Sequence, residues 1–198
     1  MKTILLILLA YLLGSIPWGL IIGKAFFNKD IRNFGSGNLG GTNAGRVLGK
    51  PIGLIVILLD SLKAFIFMII CNNIYPEITP YCGLAVCFGH CFPIFANFRG
   101  GKAVATAYGY LLGLAIFVTK DIFTFFIPLI IFLAIFLITN YVSLSSMISI
   151  LSASIYLMFT NFKIGLLVLI LALFIIYRHS SNIKKLINKT ESKIYLFK

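Results

Sequence analysis

Seven apolar runs, near residues 4–23, 51–70, 81–98, 103–118, 123–139, 146–160 and 164–178, divide this chain of 198 residues. A helix needs about 20 residues to cross a bilayer, within about 17–25, and the fourth, sixth and seventh runs are shorter than that. They gain length by extending into their polar ends, or one of them re-enters. Barrel strands would alternate in polarity, whereas these runs are apolar on every face. Backbone hydrogen bonding in lipid leaves helices as the default. Only 11% of residues are charged and the mean hydropathy is +1.04, against about 25% charged in soluble domains. The expectation is an all-α integral membrane protein of about seven transmembrane helices, forming a single domain over 1–198. The opening "MKTILLILLAYLLGS" lacks an A-x-A site and its apolar run continues to Ile22, so it reads as a retained first helix rather than a cleaved leader.

The basic residues orient the chain. With the amino terminus outside, thirteen of the seventeen fall on inner segments: Lys24, Lys29, Arg32, Arg46, Lys50, Arg99, Lys102, Arg178, Lys184, Lys185, Lys189, Lys193 and Lys198. Lys2, Lys120 and Lys163 are outer, and Lys63 lies inside the second run. The positive-inside rule favours this orientation and a cytoplasmic carboxyl end. A net charge of +12 would suggest nucleic acid in a soluble protein. In short loops between apolar runs it indicates topology and anionic lipids or substrates, with no nucleic-acid partner.

The unusual polar segments all fall on the inner side. The first is "NFGSGNLGGTNAGR" (33–46). Its G-x-G-x-x-G pattern lacks the strand and βαβ unit of a dinucleotide site, and no Walker lysine follows. Glycines still let successive N–H groups converge on an anion. Ser36, Asn38, Thr42 and Asn43 add hydrogen-bonding groups, and Arg46 adds a fork for phosphate oxygens. A flexible loop packing through small residues is the other reading. "RGGK" (99–102) is either a second phosphate-binding turn or a membrane-edge anchor.

His90, in the third run, is a functional candidate or a hydrogen-bonded packing residue. His179 and Asn182 can share one helical face. Asp60 and Lys63, three residues apart in the second run, read as a structural ion pair. Cys87, His90 and Cys91 fall at i, i+3, i+4, but no C-x-x-C is present, and neither a metal site nor a disulfide framework is expected. Ser143, Ser145 and Ser146 lack a G-x-S-x-G elbow and an accessible acid, so they suit phosphate binding better than covalent catalysis.

Taken together, "GSIPWGLIIGK", "LLDSLKA", "GSGNLGGTNAGR", "GHCFPIFANFRGGKAVAT", "YVSLSS" and "HSSNIKKL" resemble the bacterial acyl-phosphate:glycerol-3-phosphate acyltransferases from about Gly14 to Glu191. The resemblance implies a seven-helix fold in the bacterial cytoplasmic (inner) membrane, with its active site at the cytoplasmic face. It implies acyl transfer from acyl phosphate to the sn-1 hydroxyl of glycerol 3-phosphate, without a cofactor, giving lysophosphatidic acid and phosphate. Ser36, Arg46, Lys102 and His179 fall on positions of catalytic importance. Gly35, Gly37, Asn38, Gly40, Thr42, Asn43, His90, Gly100, Gly101, Ser143, Ser145 and Asn182 fall on substrate-binding positions. The chain departs from the family at Gly41, where alanine is usual, at Arg99 for lysine, at Ala103 and Lys189 for glycine, and at Asn140 for arginine.

The expected mechanism is direct attack on an already activated donor. One anion pocket, from 35–46 and Lys102, would hold acyl phosphate. A second, from Arg46, Lys102, Ser143, His179 and Asn182, would hold glycerol 3-phosphate. His179 or the donor's own phosphate would accept the hydroxyl proton. Competing readings are a transporter or channel for an organic phosphate, and a lipid-binding scaffold.

Overall fold

The structure, a computed structural model, describes residues 1–195; Lys198, counted above among the inner cations, lies outside them. The described residues form helices and turns without a strand. The chain divides into two compact units, one spanning Met1–Lys120 and the other beginning at Asp121.

Every apolar run is helical. In the first unit, α1 (Lys2–Gly14) and α2 (Trp18–Phe27) come from the first run, which breaks at Ser15–Pro17. Pro17 has no N–H to continue the helical ladder, so a break falls where it stands. A short α3 (Gly41–Leu48) leads through Gly49, at φ +106, into α4 (Lys50–Ile74). Helices α5 (Thr79–Cys91) and α6 (Val104–Gly113) follow, α6 ending in a π-helical turn over Leu114–Val118. The second unit holds α7 (Phe123–Thr139), α8 (Val142–Thr160), α9 (Phe162–Arg178) and α10 (Ser180–Ile187).

Among the described residues, four stretches are long and apolar enough to cross a membrane: Lys2–Phe27, Lys50–Ile74, Pro76–Ala96 and Val142–Thr160. Helices α9 and α10, bent by 59° at their junction, make a fifth if counted as one span, while Val104–Val118 and Phe123–Thr139 are shorter. Many large apolar side chains point outward, among them Leu58, Phe123, Ile130 and Phe159, as lipid-facing surfaces require.

With lipid outside, hydrophobic burial cannot drive helix association, and close packing replaces it. Helices α1 and α5 meet through Gly14 and Gly89: a side chain on either would enter the other helix's backbone, at Val86 and at Tyr11 and Gly14 respectively. The Tyr11 hydroxyl donates to the Phe92 carbonyl at 2.7 Å, fastening the same pair. Gly89→Ala is therefore expected to destabilise the protein by about 1–3 kcal/mol, read as a lower midpoint of thermal unfolding in detergent. An unchanged midpoint would show that this contact can yield.

Candidate functional site

The glycine-rich segment is an ordered wrap around one side chain. The buried Asn43, on the first turn of α3, donates from Nδ2 to the carbonyls of Ile31 (2.9 Å), Phe34 (3.2 Å) and Asn38 (2.9 Å). Its Oδ1 accepts from the Ser36 N–H at 2.8 Å. Gly35 and Gly37 lie at φ +60 and +70, where glycine alone is unstrained. Asn38 Oδ1 accepts from the Gly40 N–H at 2.9 Å just ahead of α3. Beneath the wrap, Leu20, Ile31, Leu39, Ala44, Val56 and Ala96 form a buried apolar cluster.

The segment's entry is pinned electrostatically. Arg32 donates from Nη2 to Asp30 Oδ2 at 2.6 Å and from Nε to Oδ1 at 2.9 Å. These bonds hold the Asp30 carboxyl well below the usual carboxylate range. A depressed carboxyl contributes stability above its unfolded value of about 3.9 and loses it only as pH falls further. The pin is thus fully closed at neutral pH.

This architecture sorts the sequence candidates. Ser36, Thr42 and Arg46 are exposed, Asn38 and Gly40 half-buried. Thr42 and Arg46, four residues apart on α3, share a face. Asn43, expected as a substrate ligand, has its amide committed to the segment's own backbone and shapes the wrap instead. Beside the Ser15–Pro17 break, Ile16, Pro17, Leu20, Ile21, Lys24 and Phe95 line an apolar groove of about 300 Å³.

The Arg99–Lys102 turn packs on the end of α5. The Gly101 N–H donates to the His90 carbonyl at 3.1 Å. A side chain at Gly100 would enter the carbonyls of His90 and Cys91 and the Pro93 ring, and one at Gly101 would enter the His90 imidazole. The two glycines are thus demanded by packing on His90 before any ligand is considered. Lys102 is half-buried. Asn97, Phe98 and Ala103 lie at φ +55, +58 and +58, a rare conformation for a bulky residue and one that concentrates at functional sites.

His90 is not alone in its helix. Its Nδ1 lies 2.9 Å from Lys63 Nζ and 3.3 Å from Asp60 Oδ1. Lys63 and Asp60 pair at 2.9 Å, as the i, i+3 spacing predicted. Cys87 and Cys91 beside it are buried thiols.

In the second unit, Ser143, Asn182 and Glu191 meet. Glu191 Oε1 accepts from Ser143 Oγ at 2.8 Å and from Asn182 Nδ2 at 2.6 Å. It thereby joins α8, α10 and the segment after α10. Sequence reasoning gave Glu191 no role; its one signal was an acid inside a strongly basic carboxyl-terminal tail. The tail is further held by Ile194 N–H donating to the Asn140 carbonyl at 2.9 Å. Ser145 Oγ donates to the Tyr141 carbonyl at 2.8 Å, within its own helix. His179, at the α9–α10 bend, lies with Nδ1 2.8 Å from the Ile175 carbonyl. A carbonyl only accepts, so Nδ1 carries a proton, and in the neutral ring Nε2 is the acceptor nitrogen.

Two of the family departures gain a physical reason. Ala103 and Lys189 lie at φ +58 and +57, so the glycine usual at each position answers a left-handed backbone.

The glycerol-3-phosphate acyltransferase family model matches residues 4–189. The chain belongs to this family. A glycerol-3-phosphate acyltransferase of Geobacillus kaustophilus is 48% identical, covering 97% of this chain and 96% of the relative. That of Macrococcus caseolyticus is 46% identical, covering 98% of each. The crystal structure of PlsY (YgiH), an integral membrane glycerol 3-phosphate acyltransferase, in its glycerol 3-phosphate form superposes with a TM-score of 0.90 at 36% identity. It covers 98% of this chain and 96% of that one. The lysophosphatidic acid form gives 0.86 at 34%. Membership makes this an integral membrane protein of phospholipid biosynthesis.

Two predictions follow from the geometry. Asn43→Ala leaves Ile31, Phe34 and Asn38 carbonyls without their donor. It should cost about 1–3 kcal/mol and open residues 34–40 to protease; an intact segment would contradict the wrap. Ala103→Gly and Lys189→Gly should each stabilise by about 1 kcal/mol, checked by thermal unfolding. A loss at both would rule out relief of backbone strain.

Proposed function

We propose that this protein transfers an acyl group from acyl phosphate to the sn-1 hydroxyl of glycerol 3-phosphate, releasing lysophosphatidic acid and inorganic phosphate. The chain crosses the bacterial cytoplasmic membrane seven times, amino terminus outside, with the chemistry at the cytoplasmic face. The observation that carries this reading is the wrapped 31–46 segment. It turns Ser36, Thr42 and Arg46 outward from a rigid base, in a chain whose family is defined by glycerol 3-phosphate.

The chemistry asks little of the protein beyond position and charge. Acyl phosphate is a mixed anhydride whose leaving group needs only charge neutralisation. The glycerol hydroxyl oxygen attacks the carbonyl carbon, the bond from that carbon to the phosphate oxygen breaks, and the hydroxyl proton leaves on the departing phosphate. Holding two anions in line supplies most of the acceleration. Ser36, Arg46 and Lys102 hold the donor's phosphate. Asn182 and Ser143, held by Glu191, belong to the acceptor's site. His179, whose neutral ring accepts through Nε2, takes a hydrogen bond from the second, non-reacting hydroxyl of glycerol 3-phosphate and so orients the acceptor. The acyl chain follows apolar surface such as the groove beside Pro17. No serine is acylated.

Protein purified into lipid should release phosphate and form lysophosphatidic acid from acyl phosphate, and not from acyl-CoA or acyl carrier protein. Arg46→Ala and Lys102→Ala should each lower kcat/KM by about 100-fold or more while remaining folded; near-normal rates in both would sink the assignment. His179→Gln should keep kcat within about 100-fold of the parent, because a general base is worth about 10²–10⁴. A larger loss at saturating substrate would make His179 the base.

A further inference from the structure

The Ser15–Pro17 break leaves carbonyls that no helical N–H reaches. Lys63 Nζ, almost wholly buried, lies 2.9 Å from Gly14 O and 3.2 Å from Ile16 O. It also lies 2.9 Å from Asp60 Oδ1 and 2.9 Å from His90 Nδ1. The two carbonyls can only accept, so the ammonium spends two of its three N–H groups on them and faces Asp60 as an ion pair, which leaves the third N–H for His90. An N···N separation of 2.9 Å needs one proton between the two nitrogens, and Lys63 supplies it. His90 Nδ1 is therefore the acceptor, and the imidazole proton sits on Nε2. That nitrogen occupies the space a side chain at Gly101 would take, against the turn that carries Lys102.

We infer that Lys63 is a positioning residue. By donating to His90 Nδ1, it fixes the tautomer that presents an Nε2–H donor to the Gly100–Lys102 turn, and so shapes that turn for a phosphorylated substrate. The inference rests on reading the turn as part of the substrate site. Lys63 touches no substrate. It acts through His90, while Asp60 and the broken first run keep its ammonium in place.

The chain has two histidines, so ¹⁵N-labelled imidazoles of the full protein in detergent resolve them directly, with His179→Asn giving the assignment. In the parent, His90 should be neutral with its proton on Nε2. Lys63→Met should move that proton to Nδ1, which then faces Asp60. Kinetically, Lys63→Met should raise KM for acyl phosphate, glycerol 3-phosphate or both by about tenfold, the worth of one hydrogen bond to a charged group, with kcat within about threefold. Separate titration of the two substrates shows which one the turn holds. Lys63→Arg should restore the parent tautomer. Where Lys63→Met does not fold, two His90 variants carry the test. His90→Gln keeps an N–H near the Nε2 position and should hold KM near the parent's, while His90→Asn keeps only the Nδ1 side and should show the tenfold rise.

An unchanged His90 tautomer in Lys63→Met overturns the inference, as does a shifted tautomer with unchanged KM values, or equal KM in the two His90 variants. A purely structural Lys63 would lower the folded fraction and the melting temperature without this KM-selective pattern. If the parent fails to turn over the two phosphates, the functional reading falls while the tautomer measurement still decides the Lys63–His90 link.

Discussion

A single buried ammonium organises the first unit. Proline breaks the first apolar run, and in lipid the carbonyls so exposed have no water to turn to. Lys63 reaches them from α4, bringing a charge whose lone insertion would cost about 2.5–3.5 kcal/mol. Asp60 compensates that charge one turn away, and His90 completes the shell from α5. The break, the ion pair and the histidine each look like a defect when taken alone; together they satisfy one another. Removing Lys63 or Asp60 alone leaves an uncompensated buried charge, worth about 3–5 kcal/mol.

The same economy recurs wherever the chain is polar. Asn43 spends its whole amide on the backbone of the 31–43 wrap, which frees the side chains of Ser36, Thr42 and Arg46 from holding the loop together. In the second unit, Glu191 gathers Ser143 and Asn182. A protein this apolar has few polar side chains. Some are buried as organisers, and others are presented outward on hydrogen-bonded supports.

The helices were legible because an apolar run that must satisfy its own backbone in lipid has one solution. The break at Ser15–Pro17 was not expected, although Pro17 was its signal, since the run stays apolar through it. Asp60 and Lys63 pair at a spacing visible in sequence, but His90 lies 27 residues further on, and only packing of α4 on α5 joins them. Ser36, Thr42 and Arg46 are exposed, whereas Asn43 is buried, because its partners are carbonyls that approach only once the segment has folded. The glycine pair of the 99–102 turn has a reason that was not visible in the sequence: His90 needs the space. Departures at Ala103 and Lys189 were visible as residue changes; their left-handed backbone was not.

Direct transfer is the claim on which the functional account turns, and a single-turnover experiment with enzyme in excess over acyl phosphate tests it. Phosphate and lysophosphatidic acid should appear together with one rate constant when glycerol 3-phosphate is present, and neither should appear without it. A burst of phosphate that precedes lysophosphatidic acid, or that needs no acceptor, would mean an acylated protein and would contradict the account.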